Sequence, residues 1–203
     1  MRQFHEPILP IGDPGYGGIT GSILPSPMVS IIWEVQNMCE EYSWNPSSIF
    51  IDLGSGMGFP VLCASCLNIK RCIGVEFSNI IINQAEKVYT AVKDYTTCHD
   101  VLFYNENILN LSDIYNSTHI YSFTCGMPPE IISKILYLCS NSNTSKLLII
   151  SMDNPYVTFL QNHRILYYQK LKISISNTQR TCYFYVLNDE YKKIIMDICS
   201  LLT

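Results

Sequence analysis

Residues 49–60 read Ile-Phe-Ile-Asp-Leu-Gly-Ser-Gly-Met-Gly-Phe-Pro, and further along the chain reads Gly74-Val75-Glu76. Asp52 and Glu76 each close a short apolar run, the pattern of a buried parallel strand. After Asp52 come glycines at 54, 56 and 58. Glycine is needed where a chain turns sharply and where backbone must lie against a ligand with no Cβ in the way. In doubly wound α/β proteins the acid that ends the second strand lies beside the first glycine turn, where it can accept both hydroxyls of a ribose. Strand, glycine turn, helix, strand, acid is therefore the order of an adenosine-binding half-site. A glycine-rich turn in an unrelated α/β domain is the plain alternative, and it leaves Glu76 without a task.

The spacing separates the adenosine cofactors. Nicotinamide and flavin sites use G-x-G-x-x-G beneath a pyrophosphate. Here the pattern is G-x-G-x-G preceded by an acid, and no G-x-x-x-x-G-K-[ST] phosphate loop occurs in the chain. This form resembles the first motif of class I S-adenosylmethionine (SAM) methyltransferases, in which the acidic strand end faces the amino acid part of the cofactor.

The elements that must position these residues follow from periodicity and punctuation. Residues 1–27 hold a dense run of prolines and glycines and read as an irregular lead-in. Val29, Ile31, Ile32, Val35, Met38 and Cys39 recur at helical spacing, so a helix is expected from Pro27 to Tyr42. Strands are expected at 48–53, 71–76, 101–104, 119–123 and 146–151, with helices at 58–67, 78–93 and 129–138 between them. A further helix is expected near 155–164. Lys170–Ser176 and Thr181–Leu187 alternate as a hairpin around Asn177–Arg180, with a short helix at 189–201. Strands alternating with helices imply a parallel α/β sheet, and the terminal hairpin turns one edge antiparallel. That is the seven-stranded, Rossmann-like sheet of the class I methyltransferases. The expected organisation is a lead-in over 1–27 carrying a cofactor lid loop, then one class I domain over 28–203.

Composition sets limits on function. The chain has 203 residues, 48% hydrophobic and 15% charged, which fits one globular domain with a sizeable core. No apolar stretch approaches the ~20 residues that span a bilayer, and the N-terminus lacks a basic-then-apolar signal pattern. Nine cysteines without framework spacing suit a reducing compartment. Cys63 and Cys66 form a C-x-x-C in the expected second helix; with no second pair and no nearby histidine they read as buried small hydrophobes, not zinc ligands. The four histidines show no metal-ligand spacing, so no metal is expected, and His119 reads as a structural histidine. Net charge is −4, and Arg164, Lys170, Lys172, Lys192 and Lys193 are a thin scatter, so direct nucleic-acid binding is expected to be weak or absent. Asp153-Asn-Pro-Tyr156 follows the fifth strand and lacks a second proline, so it reads as a turn.

Beyond the first motif, the chain over roughly residues 15–188 resembles the non-SET, Dot-one family of histone-lysine methyltransferases. Phe50–Gly58 with Gly74-Val-Glu76 carries most of the likeness. Tyr16-Gly-Gly-Ile-Thr20 resembles the family's Tyr-Gly-Glu-Thr cofactor loop, one residue longer and without the acid. Ser122-Phe123 and Gly126-Met-Pro-Pro-Glu130 are similar to its Asn-Phe and Gly-Pro-Glu segment, and Thr181–Tyr185 to its aromatic strand. Two departures stand out: Ser122 replaces the catalytic-loop asparagine, and Asn107-Ile108 stands where the family has Asp-Phe against the adenine.

The resemblance implies SAM as cofactor, held by Tyr16, Thr20, Asp52, Gly54, Ser55, Gly56, Gly58, Glu76, Phe77, Asn107 and Ile108. It implies catalytic roles for Tyr16, Ser122, Phe123 and Tyr183. It also implies a histone or nucleosome partner and a nuclear location. A lysine acceptor must enter as the neutral amine, and a narrow aromatic channel favours that form by desolvation while its rings hold the incoming cation. Tyr16, Phe123, Tyr183 and Tyr185 are the expected lining, although ordinary packing on one strand face accounts equally well for the last two. RNA or a small molecule as acceptor, and a catalytically silent partner subunit, remain the alternatives.

Overall fold

The computed structural model describes residues 25–124, 126–151, 167–175 and 178–187. The expectations for residues 1–24 of the lead-in, for the segments near 153–164 and for the helix at 189–201 lie outside them, while Pro25–Pro27, expected as lead-in, already belong to the first helix.

Helix α1 (Pro25–Gln36) precedes β1 (Ile49–Leu53), and α2 (Phe59–Ala64) leads to β2 (Arg71–Glu76). Helix α3 (Asn79–Val92) leads to β3 (Asp100–Asn105), then come β4 (His119–Phe123), α4 (Pro129–Asn141) and β5 (Leu147–Ser151). A hairpin of β6 (Tyr167–Ile175) and β7 (Thr178–Val186) follows. One sheet joins all seven strands in the order β3-β2-β1-β4-β5-β7-β6. Strands β1 to β5 run parallel, while β7 pairs antiparallel with β5 and with β6. The expected α/β, mostly parallel architecture with an antiparallel edge is what the chain adopts.

Both faces of the sheet are covered, which explains why its central strands are apolar throughout. On one face Ile51, Leu53, Ile120 and Ile150 pack with Ile132, Ile135 and Leu136 of α4. On the other, Phe50, Cys72, Tyr121 and Ile149 pack with Met28, Ile31 and Val35 of α1 and with Val61 and Ala64 of α2.

Several boundaries differ from expectation, among them three that change what a residue does. Helix α1 stops at Gln36 instead of Tyr42: the Asn37 side chain donates to Trp33 O, which its own amide also uses, and the Met38 amide tightens onto Val35 O. Trp44 then folds against the helix, its indole N–H donating to Ile32 O at 3.0 Å. Within α1 the buried stripe is Met28, Ile31 and Val35, while Val29 faces outward. Helix α2 ends at Ala64, so Cys66 lies beyond it and is exposed, not buried. Strands β6 and β7 stay paired out to Ile175 and Thr178, so Thr178–Arg180 belong to β7 and not to the expected turn.

Candidate functional site

The glycine turn after β1 adopts a left-handed backbone at all three glycines, with φ of 83° at Gly54, 53° at Gly56 and 78° at Gly58. Only glycine takes these angles without a steric cost. The Gly54 and Ser55 amides both donate to Val75 O at 2.9 Å, which ties the turn to β2. A Cβ at Gly54 would come 2.5 Å from Met127 Cε, and one at Gly58 would come 2.6 Å from Phe103 Cε1. At Gly74, the cross-strand neighbour of Asp52, it would meet Phe103 Cδ1 at 2.7 Å. At Gly56 nothing lies within 4 Å. The other bare faces are packed by protein, and Gly56 alone opens onto space.

Glu76 borders that space. Its Oε2 accepts the Gly56 amide at 3.0 Å and its Oε1 accepts the Ser78 amide at 3.0 Å. Each carboxylate oxygen has two lone-pair sites, so both keep acceptor capacity for further hydroxyls. Asn105 holds the exit of β2 in place, donating to Glu76 O at 3.1 Å and Phe77 O at 2.8 Å. Phe77 is exposed beside it.

Asp52 is 1% exposed, and its Oδ1 has no hydrogen-bond partner among the described residues. Burial first, then the nearby Glu76 carboxylate, push the Asp52 carboxyl well above the usual carboxylate range. The Ser55 hydroxyl is likewise buried without a partner among the described residues. Buried polar groups are normally paired, so these two orphans beside the glycine turn leave polar atoms free to meet a ligand.

At the end of β3, Asn107 Oδ1 accepts the Leu109 amide at 2.9 Å and so caps the short turn Ile108–Asn110. Its carbonyl is engaged there, which makes its NH2 the group for a ligand edge. Ile108 is buried within the α4-side core.

The acceptor side differs from expectation. Ser122 is fully buried and donates its hydroxyl to Leu53 O at 2.8 Å, so it presents no donor to a substrate. Alternation along β4 and β7 sends Phe123 to the α1 face and Tyr183 with Tyr185 to the α4 face. Rings on opposite faces of one sheet cannot line a single channel. Tyr183 is 6% exposed and stacks on Tyr185, ring centroids 6.4 Å apart, which is the packing role. Tyr16 and Thr20 lie outside the described residues.

Two contributors went unread in the sequence. Phe103 supports the turn from below, filling the bare faces of Gly58 and Gly74; a glycine inside a strand such as β2 is the signal of such a close approach. Met127 covers Gly54 from the loop after β4, and nothing in its own spacing announces it. Among the described residues, no three His, Cys, Asp or Glu side chains gather as metal ligands, and no helix is long and apolar enough to cross a membrane. His119 is buried, its ring between the Thr118 hydroxyl and the Tyr42 carbonyl, and serves structure.

The model of the histone methylation protein DOT1 family matches residues 30–120, from α1 through the glycine turn and β2 into β4. No curated protein matches the chain in sequence. Among solved structures, the chain is similar to magnesium protoporphyrin IX methyltransferase (ChlM) from Synechocystis PCC 6803 with bound SAM. The identity is 15%, over 81% of this chain and 79% of that one, with a TM-score of 0.61. TrmK of M. capricolum with S-adenosyl-homocysteine (SAH) is 14% identical over 82% and 70% of the two chains, TM-score 0.59. An RNA methyltransferase from Salinibacter ruber with SAH is 15% identical over 83% and 95%, TM-score 0.55. At these identities the likeness establishes the fold.

Proposed function

We propose that this chain, a divergent class I methyltransferase by fold that resembles the DOT1 family, is a SAM-dependent methyltransferase. The single observation that carries the reading is the Glu76 carboxylate bound to the Gly56 amide, at the one of the four glycines around the turn whose bare face opens onto space. The residues present fit the cofactor: Glu76 offers acceptors for ribose hydroxyls, and Asp52 with Ser55 offers orphaned polar atoms for an amino group. Asn107 and Phe77 border the adenine end.

When bound, SAM supplies an electrophilic methyl group on a sulfonium. The chain's own task is positioning, because transfer needs the acceptor atom ~3–3.5 Å from the methyl carbon and in line with the leaving sulfur. The turn contributes a rigid floor for this, its Gly54 and Ser55 amides bonded to Val75 O and its Gly56 amide to Glu76. Asp52 gains its proper ionisation once a cation stands beside it, which opposes the effect of burial.

For the acceptor we favour a lysine side chain of a nucleosomal histone, which places the enzyme in the nucleus. The family match over 30–120 and the net charge of −4, suited to a basic substrate and poorly suited to RNA, support this. One observation favours the second reading, an RNA or small-molecule acceptor. Ser122 is buried, and Phe123 and Tyr183 lie on opposite faces, so the described residues do not assemble the aromatic lysine channel.

The test offers tritiated SAM with nucleosomes, free histones, total RNA and a metabolite extract, using Glu76→Ala as control. Label in a nucleosomal histone that disappears with Glu76→Ala is the expected result. Label confined to RNA or small molecules overturns the lysine assignment and keeps the cofactor. No label in any arm favours a silent subunit.

A further inference from the structure

The strand order places the parts of the site along one line. Asn107 lies after β3, Glu76 ends β2, the glycine turn follows β1, and the loop with Met127 follows β4, in the spatial order β3-β2-β1-β4. An adenosine whose ribose rests on Glu76 has its base toward β3. What is attached to its 5′ carbon must then run the other way, over the end of β1 toward β4. This is where Met127 sits.

Gly126 turns the chain in a left-handed conformation, φ 76°, and sends Met127 back over the end of β1. The Met127 amide donates to Thr124 O at 3.1 Å, which closes the loop. The Met127 methyl then rests on the bare face of Gly54, and the Ser122 hydroxyl lies 3.9 Å from Met127 Sδ. The side chain is only partly buried and packs at the rim of the α4-side core. Methionine is unbranched, with three rotatable bonds, and fills irregular spaces without being locked in them.

We propose that Met127 rests on the seat of the cofactor's amino acid arm and must swing out for that arm to bind. The inference rests on the SAM reading above. The match is chemical as well as spatial: methionine's CH2–CH2–S–CH3 has the shape and softness of the cofactor's own thioether arm. The bare face of Gly54 is what lets either of the two lie on it. Met127 thereby lowers the affinity for the whole cofactor while leaving the adenosine end untouched. The apparent affinity falls by the fraction of molecules in which the seat is free.

The experiment is calorimetric titration of wild type, Met127→Ala and Met127→Leu with SAH, which carries the amino acid arm, and with adenosine, which lacks it. Met127→Ala is expected to bind SAH about tenfold more tightly, the gain if the seat is filled nine-tenths of the time. Adenosine affinity is expected to stay the same, and that arm also shows that the variant's site is folded. Met127→Leu, equal in bulk, is expected to resemble wild type. Equal or weaker SAH binding by Met127→Ala overturns the proposal. In a second measurement, wild type carrying 13C-methyl methionine should show the Met127 methyl resonance, assigned by its loss in Met127→Leu, move on adding SAH and hold still on adding adenosine. A resonance that ignores SAH overturns the proposal without recourse to a variant's affinity. If neither ligand binds wild type, the cofactor reading fails, and this inference falls with it.

Discussion

Glu76 is bonded to Gly56 across the gap between two strands, Oε2 to amide nitrogen at 3.0 Å. The same carboxylate accepts the Ser78 amide at 3.0 Å, so one side chain braces the glycine turn and the start of α3 together. Glu76→Ala leaves both amides without their acceptor, at a cost of roughly 2 kcal/mol in stability. Glu76→Gln keeps one carbonyl acceptor and should recover at least half of that loss. Both variants should lose SAH affinity, since an amide cannot accept two ribose hydroxyls while serving two backbone donors. Denaturant unfolding and SAH titration, run in parallel, separate the two effects. Unchanged SAH affinity in Glu76→Gln would remove the ribose role.

Gly56 and Gly58 share a left-handed backbone and differ in what surrounds them, which makes them a matched pair. Gly56→Ala meets only the backbone cost, about 1–2 kcal/mol, because no atom lies within 4 Å. Gly58→Ala adds a collision with the Phe103 ring, for a total of roughly 3 kcal/mol. Gly56→Ala should thus fold yet bind SAH poorly, its methyl group standing in the ligand's space. Thermal melts with and without SAH read both quantities. A Gly56→Ala protein that binds SAH as wild type does would show that the open face is not the cofactor's.

How far the sequence carried depends on whether a signal was local. Asp52, the three glycines and Glu76 are legible because strand, turn and acid follow one another in the chain, and backbone geometry leaves few residues able to do the work. The mostly parallel sheet around them follows from alternation of helix and strand. The acceptor side is not legible in that way. The resemblance gives Ser122 the role of a catalytic-loop residue, but it lies inside β4, whose parity sends its hydroxyl into the core, onto Leu53 O. Phe123 and Tyr183 come from strands far apart in sequence, and which face each takes is set by registers fixed only in the folded sheet. The end of α1 failed for a third reason, since Met38 and Cys39 continue the helical spacing while the Asn37 side chain competes for the helix's last carbonyls.

The burial of Ser122 yields a direct test of that correction. Ser122→Ala removes a donor from the Leu53 carbonyl and should cost about 1 kcal/mol of stability. Its kcat, measured with whichever acceptor takes label, should stay within about threefold of wild type, because no reacting group is touched. A loss of 100-fold or more would return Ser122 to the catalytic machinery.

His119 ties the end of α1's return loop to the sheet and sets an acid limit on the fold. Its ring stacks on Trp44, centroids 4.3 Å apart and planes 28° from parallel, with Nε2 2.9 Å from Tyr42 O and Nδ1 2.8 Å from Thr118 Oγ1. A carbonyl only accepts, so Nε2 carries the proton and Nδ1 is bare in the neutral ring. Burial first lowers the imidazole to about 4; Lys146 nearby adds to this, and the bond to Tyr42 O opposes both. The unfolded chain takes up a proton near the ordinary value of ~6.5, before the folded one does. The stabilisation is therefore complete above that pH and is lost as pH falls from there toward 4, for a total of about 3 kcal/mol. Denaturant unfolding of wild type and His119→Asn at pH 7.5, 5.5 and 4.5 should show the variant less stable at pH 7.5 and the gap closing as pH falls. A gap that stays constant from pH 7.5 to 4.5 would mean that the imidazole titrates alike in both states and that other groups set the acid limit.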